Sequence, residues 1–187
     1  MTDQVVSALD ALMARWMVNS RRSDFILPTD RQAWPSPCLL TNGQWRPWRR
    51  ELSGSMDNLA TGLELVVHPD LARVYGSWFS ANLPCCFKGM AIELVQPWNE
   101  EDYLRLQENL IGHVLMLKKL RLPLSFFLAT TPSDRHIISL DNATGHVLYE
   151  TLGQKQRRVI SPTLAHFISR LEPWPARRPE ADENINA

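Results

Sequence analysis

The stretch from Asn99 to Arg121 constrains the fold of this chain most, because it carries the start, burial and stop signals of one long helix. Asn99 can accept the orphan N–H groups of a first helical turn. Glu100, Glu101 and Asp102 put negative charge at that end, while Lys118, Lys119 and Arg121 put positive charge at the other. Both ends complement the helix dipole. Pro123 closes the segment. Between them Tyr103, Leu106, Leu110, Val114 and Leu117 form an apolar stripe, with Glu101, Arg105, Glu108 and Gly112 opposite.

The surface that buries this stripe is read from the neighbouring segments. Leu124 to Thr130 is a charge-free run suited to a central strand. His136–Leu140 and His146–Glu150 flank the turn residues Asp141 to Gly145 and predict a hairpin. Pro84 to Gln96 predicts one strand, with Ile92 and Leu94 alternating against Ala91, Glu93 and Val95. Cys38–Leu40, the Asn42-Gly43 turn and Gln44–Arg50 predict a further hairpin, its return strand held to an edge by Pro47. Helices are predicted over 4–18 (Val5, Leu9, Leu12, Trp16), over Met56 to Val66, and from Pro69 to about Phe79. A last helix starts at Ser161-Pro162 with Leu164, Phe167, Ile168 and Leu171 inward.

Between Ser23 and Pro37 three prolines interrupt any period. The mixture predicts an α+β fold, a largely antiparallel sheet flanked by helices. At 187 residues it fits one domain, placed here over 1–173, with a Pro- and charge-rich disordered tail over 174–187. A domain of this size buries about 70% of its unfolded surface and needs no staples. Cys38, Cys85 and Cys86 are odd in number, two of them adjacent, and fit a reduced cytosolic chain.

Net charge is zero, but its distribution is uneven. Residues 57–110 carry three basic against eight acidic side chains, whereas 1–56 and 111–187 are mildly basic. An acidic middle can steer a basic partner, or it can be a solvated helix face with ordinary capping. Clustered Lys and Arg of the kind nucleic acid requires are absent. So are a signal peptide and an apolar run of bilayer length, so any membrane association is expected to be peripheral.

Candidate chemistry competes with simpler readings at each place. His68-Pro69-Asp70 has a carboxylate beside an imidazole, but it sits where a helix start needs caps. His136 and His146 lack a metal-binding spacing, and the hairpin keeps their rings apart. Cys85 and Cys86 have apolar neighbours that fit buried thiols rather than reactive ones. Asn142-Ala143-Thr144 reads as a turn, and Gly153-Gln154-Lys155 lacks the rest of a phosphate loop. Tryptophan is buried on average, so the seven are assigned mainly to the core. No cofactor, no metal, no small-molecule substrate and no enzymatic activity is expected.

From Gln107 to His113 (QENLIGH) the chain resembles the Syd family of SecY-interacting proteins, within the SUKH superfamily. The resemblance continues through Lys119-Leu120-Arg121-Leu122-Pro123, Phe127–Thr130, Thr151-Leu152-Gly153 and Leu164–Pro173. Upstream it takes in Pro35–Cys38, Glu64–Pro69, Phe79, Gln96, Trp98, Glu100 and Asp102. It implies a SUKH-like domain on the cytoplasmic face of the inner membrane, bound peripherally to basic cytoplasmic loops of SecY through an acidic concave surface. Such a protein would monitor or regulate SecY assembly; a SUKH-type immunity protein that binds a toxin is the alternative. The corresponding groove residues are Glu64, Asp70, Glu93, Glu100, Glu101, Asp102 and Glu108. The chain departs from the family pattern after Phe87, where Lys88-Gly89 replaces Gly-Asp.

Overall fold

The computed structural model describes residues 3–19, 34–41 and 43–174. Most of the irregular segment 23–37, Asn42 and the tail beyond Trp174 lie outside the described residues. Trp174 itself donates its N–H to the Pro84 carbonyl.

The first helix, α1 (Gln4–Asn19), is capped by Asp3, whose Oδ1 accepts from the N–H groups of Val5 and Val6. It buries Val5, Leu9, Leu12, Met13 and Trp16. Leu39 and Trp45 then form an antiparallel bridge across the expected hairpin. The expected return strand does not run on to Arg50. Past Pro47 the chain leaves Leu39, and Trp48–Arg49 (β1) pairs instead with Trp78–Phe79 (β2).

Helix α2 (Asp57–Leu63) ends at Glu64, which takes a left-handed conformation (φ 52°). Helix α3 (Pro69–Gly76) also stops short of the expected Phe79. Ser77 turns its hydroxyl back to the Arg73 carbonyl, and its own carbonyl accepts from the N–H of Arg50, which frees the next two residues for β2.

The largest correction falls on 84–96, which is two strands. Leu83–Phe87 (β3) and Met90–Leu94 (β4) pair through a tight turn in which Lys88 and Gly89 both have positive φ (49° and 82°). That is the backbone signature of a hairpin turn matched to strand twist.

Helix α4 spans Glu100–Lys119. Asn99 Oδ1 accepts from the Asp102 N–H at 2.8 Å, and Arg121 turns left-handed (φ 54°) just beyond the end. Gly112 lies inside α4 on its exposed side, where an added methyl meets nothing within 4 Å. Gly112→Ala is therefore expected to stabilise the protein by about 0.4–1 kcal/mol, read from the urea midpoint at unchanged slope.

After α4 come β5 (Ser125–Thr130), β6 (His136–Asp141) and β7 (Val147–Thr151), as the sequence leads one to expect. The β6–β7 pairing is His136 with Thr151, and the His136 ring stacks on Tyr149 rather than meeting His146. The basic stretch after Gly153 is a strand, β8 (Arg157–Ser161), and Thr163 caps α5 (Leu164–Ser169). Glu172–Pro173 (β9) finishes the sheet, in the order β8-β7-β6-β5-β4-β3-β9 with every pair antiparallel. Residue 126 and its neighbours are thus central, as a charge-free strand should be.

One core joins Leu9 and Leu12 of α1, Leu71 and Tyr75 of α3, Leu110 of α4, Phe126 of β5 and Phe167 of α5. The result is a single α+β domain with a curled seven-stranded antiparallel sheet.

Candidate functional site

A cavity of about 210 Å³ opens beside the N-terminal half of α4. Asp102, Leu106 and Asn109 supply one wall, at spacings of four and three that place them on a single helical stripe. Val95 to Trp98, the link from β4 to α4, supply the second, and Ser80 to Asn82 the third. Phe127 of β5 and Trp34 complete the lining.

These segments hold each other through backbone groups. Ser80 N–H donates to the Pro97 carbonyl at 2.9 Å, and Gln96 N–H donates to Asn82 Oδ1 at 3.1 Å. Trp98 N–H donates to Asp102 Oδ2 at 2.8 Å, its indole N–H to the Trp34 carbonyl, and Asn99 Nδ2 to the Pro35 carbonyl. Asp102 and Asn99 therefore cap the helix and hold the cavity wall at the same time. Gln96 is 3% exposed; its Nε2 donates to the Val95 carbonyl, and its Oε1 has no partner.

The seven acidic candidates do not form one patch. Asp102 lines the cavity, and Glu101 and Glu108 project from the exposed side of α4 next to it. Arg105 lies among them, its guanidinium 3.9 Å from the Trp34 ring centroid and 3.7 and 3.9 Å from the carboxylates of Glu101 and Asp102. Glu93 is exposed and shares a sheet face with Val95 by the two-residue alternation.

Glu100 is drawn away to Arg50 at 2.6 Å, whose guanidinium also covers the rings of Phe79 and Tyr103. Asp70 is held by Arg73, which also pairs with Asp3. Glu64 ends α2 beside Leu63, whose carbonyl accepts from Lys118. Sixteen residues of helix, about 24 Å, separate Lys118 from Asp102.

The other chemical candidates resolve into structure. His68 Nδ1 accepts from the Asp70 N–H as the N-cap of α3, and its backbone N–H donates to Asn142 Oδ1 on the β6–β7 turn. All three cysteines are free and buried, and burial pushes the thiols of Cys38 and Cys85 up to about 11 and about 12. Among the described residues no group of three His, Cys, Asp or Glu side chains is placed to hold a metal ion. Trp34, Trp48 and Trp174 are exposed rather than core, and Trp34 reaches the cavity.

Further along the same helix stripe His113 stands edge-on to Phe127. Burial lowers its pKa from the ordinary 6.5, the nearby Glu150 draws it up, and Arg157 pushes it down. The folded protein thus binds this proton less readily than the unfolded chain. Its contribution is complete above pH 6.5 and is lost as pH falls below that value. His113→Gln is expected to flatten the loss of stability between pH 7.5 and about 5, measured by urea unfolding at both values.

Fold and site together define a single-domain α+β protein with a cleft beside α4, one wall of which carries Asp102. The family model described as Syd protein (SUKH-2) matches residues 6–173. Protein Syd of Tolumonas auensis is 43% identical over 177 residues, 92% of each chain. Protein Syd of Aeromonas salmonicida is 40% identical over 181 residues, 94% of this chain and 100% of the relative. The chain belongs to the Syd family.

Proposed function

We propose that this protein binds the SecY channel at the cytoplasmic face of the inner membrane, using the cleft beside α4 to receive a basic loop, and acts by binding rather than by turnover. Family membership supports the partner. The observation that carries the location is that Asp102 lines a cavity beside α4, while Glu101 and Glu108, seven residues apart, are exposed on the same helix. Glu93 and Glu108 make no ion pair among the described residues, so their field is open to a visitor. Cytoplasmic loops of membrane proteins are enriched in Lys and Arg, which makes an acidic cleft complementary. No helix among the described residues is long and apolar enough to cross a membrane, so attachment runs through the partner.

The test is capture of SecY from solubilised inner membranes, with affinity measured at two salt concentrations. Exposed charge attraction is screened beyond about 8 Å at physiological ionic strength, so wild-type affinity should fall as salt rises. One exposed carboxylate contributes about 0.2–1 kcal/mol, and neutral single changes should be mild. Glu101→Lys with Glu108→Lys adds repulsion, which can cost several kcal/mol, and should weaken binding strongly while flattening the salt slope. A folded double variant with unchanged affinity and slope places the contact elsewhere.

A further inference from the structure

We infer that β8 and the cavity beside it receive one extended acidic segment of a partner chain, added to the sheet as a further strand. This surface is separate from the cleft beside α4, and the inference stands or falls independently of the SecY reading.

The backbone of β8 provides the edge. It is the outermost strand of the sheet, paired with β7 alone. Thr151 donates its N–H to the Gln156 carbonyl at 3.1 Å, and the register then sets Tyr149 opposite Arg158. Hydrogen-bonded and non-hydrogen-bonded positions alternate in an antiparallel pair, so the N–H and C=O groups of Arg157 and Val159 turn away from β7. Among the described residues no other backbone group bonds to them. Val159 is also 52% exposed. An open edge of this kind is a template for an incoming strand.

The neighbouring cavity supplies the chemistry. About 280 Å³ opens between the β3–β4 turn and β8, lined by Phe87, Lys88 and Met90 on one side and Arg158, Val159 and Ile160 on the other. Among the described residues no acidic side chain lines it, while two cations do. The Lys88 ammonium stands 5.3 Å from the Phe87 ring centroid, and the Arg158 guanidinium 5.6 Å from that of Tyr149. Neither cation makes an ion pair among the described residues. Arg157 differs, since Glu150 and the Pro123 carbonyl already hold it.

Two unanswered cations set in an apolar lining suit a carboxylate carried near an apolar side chain. In an extended segment, residues two apart share a face, so one strand can present both. A basic segment would meet Lys88 and Arg158. A second copy pairing β8 with β8 would set arginines against arginines, and like charges across strands repel. The edge is thus closed to its own kind and open to an acidic strand.

The probe is the acetylated, amidated peptide TEVTEVT, with TQVTQVT and TKVTKVT as neutral and basic counterparts. Each is titrated into the full chain and followed by backbone amide NMR. TEVTEVT should shift the Arg157, Arg158 and Val159 amides saturably and slow hydrogen exchange at Arg157 and Val159. Its affinity should fall as salt rises. The neutral peptide should bind at least about tenfold more weakly.

Lys88→Glu with Arg158→Glu should exchange the preference, releasing TEVTEVT and taking TKVTKVT. Val159→Pro removes an outward N–H at an edge, where proline is tolerated, and should abolish binding with the urea midpoint near wild type. If that variant fails to fold, the charge exchange decides. No saturable shift up to the solubility limit of TEVTEVT, shifts without added protection of Arg157 and Val159, or a double reversal that still prefers TEVTEVT would overturn the inference. Amides of β8 that shift with protein concentration alone would place a second copy on this edge and overturn it as well.

Discussion

Arg157→Ala is expected to destabilise the protein by about 3–5 kcal/mol, the cost of leaving a buried carboxylate unpaired. Glu150 and Arg157 face each other across β7 and β8 with their charged groups 3.0 Å apart. Ser125 donates to the other oxygen of Glu150, and Arg157 reaches the Pro123 carbonyl at 2.9 Å. Glu150 is only 4% exposed, so removing its partner strands a charge in a place water does not reach. For a chain of this length each kcal/mol moves Tm by about 2–4 °C, so the midpoint should drop by roughly 10 °C. Replacing both residues with Leu should recover much of the loss, because a buried pair contributes little over apolar packing of similar volume. A single variant that melts with the wild type would show that Glu150 finds water or another cation.

Gly76→Ala is the second large expected loss. At the end of α3 the backbone passes so close to Gly54 that a methyl on residue 76 would lie 2.5 Å from the Gly54 carbonyl oxygen and 2.9 Å from its nitrogen. Both are backbone atoms, and the Gly54 N–H is hydrogen-bonded to the Gly76 carbonyl at 2.9 Å, so neither strand can yield alone. Overpacking of this kind costs about 1–3 kcal/mol, and rigid backbone on both sides puts this site at the upper end. Gly62→Ala is the control. Its methyl would meet only Ile111 Cδ1 at 3.6 Å, an ordinary contact. Equal unfolding midpoints for the two variants would contradict the account of residue 76.

Much of this arrangement was legible in the residues because local rules agreed with the tertiary result. Helix α4 shows cap, dipole charges, stripe and stop within one stretch, and it forms where those signals lie. The β6–β7 hairpin and the central place of β5 followed from turn residues and the absence of charge. Legibility failed where a tertiary partner overrode the pattern. Lys88-Gly89 is a turn only because both residues accept positive φ, and the apolar run on either side concealed it. Arg157 and Arg158 concealed β8, since a strand with adjacent arginines is readable only once Glu150 is known to sit opposite Arg157.

The same limit governs the site. Asp102 could be found, because its cap position is written in the helix start. Gln96, Asn82 and Trp34 could not, because their relation to Asp102 arises from the loops that Ser80, Pro97 and Asn99 tie together. An acidic count over residues 57–110 finds the helix but cannot separate Glu93 and Glu108, which pair with no cation among the described residues, from Glu100, Asp70 and Glu101, whose charges Arg50, Arg73 and Arg105 answer.

The contact between the two ends of the chain has a consequence for synthesis. Helix α1 packs on α5 and β9, and Arg15 donates to the Leu171 carbonyl at 3.2 Å, 156 residues later. From β3 to β8 each strand pairs with its successor in the chain, and all of these pairs except β4–β5, which α4 separates, close over short loops as the chain lengthens. The stripe of α1 meets Trp45 and α3 early, but its contacts with α5 and β9 come last. Those last contacts form only once residues 164–173 have left the ribosome, so the part of α1 that faces them stays open to chaperones until then.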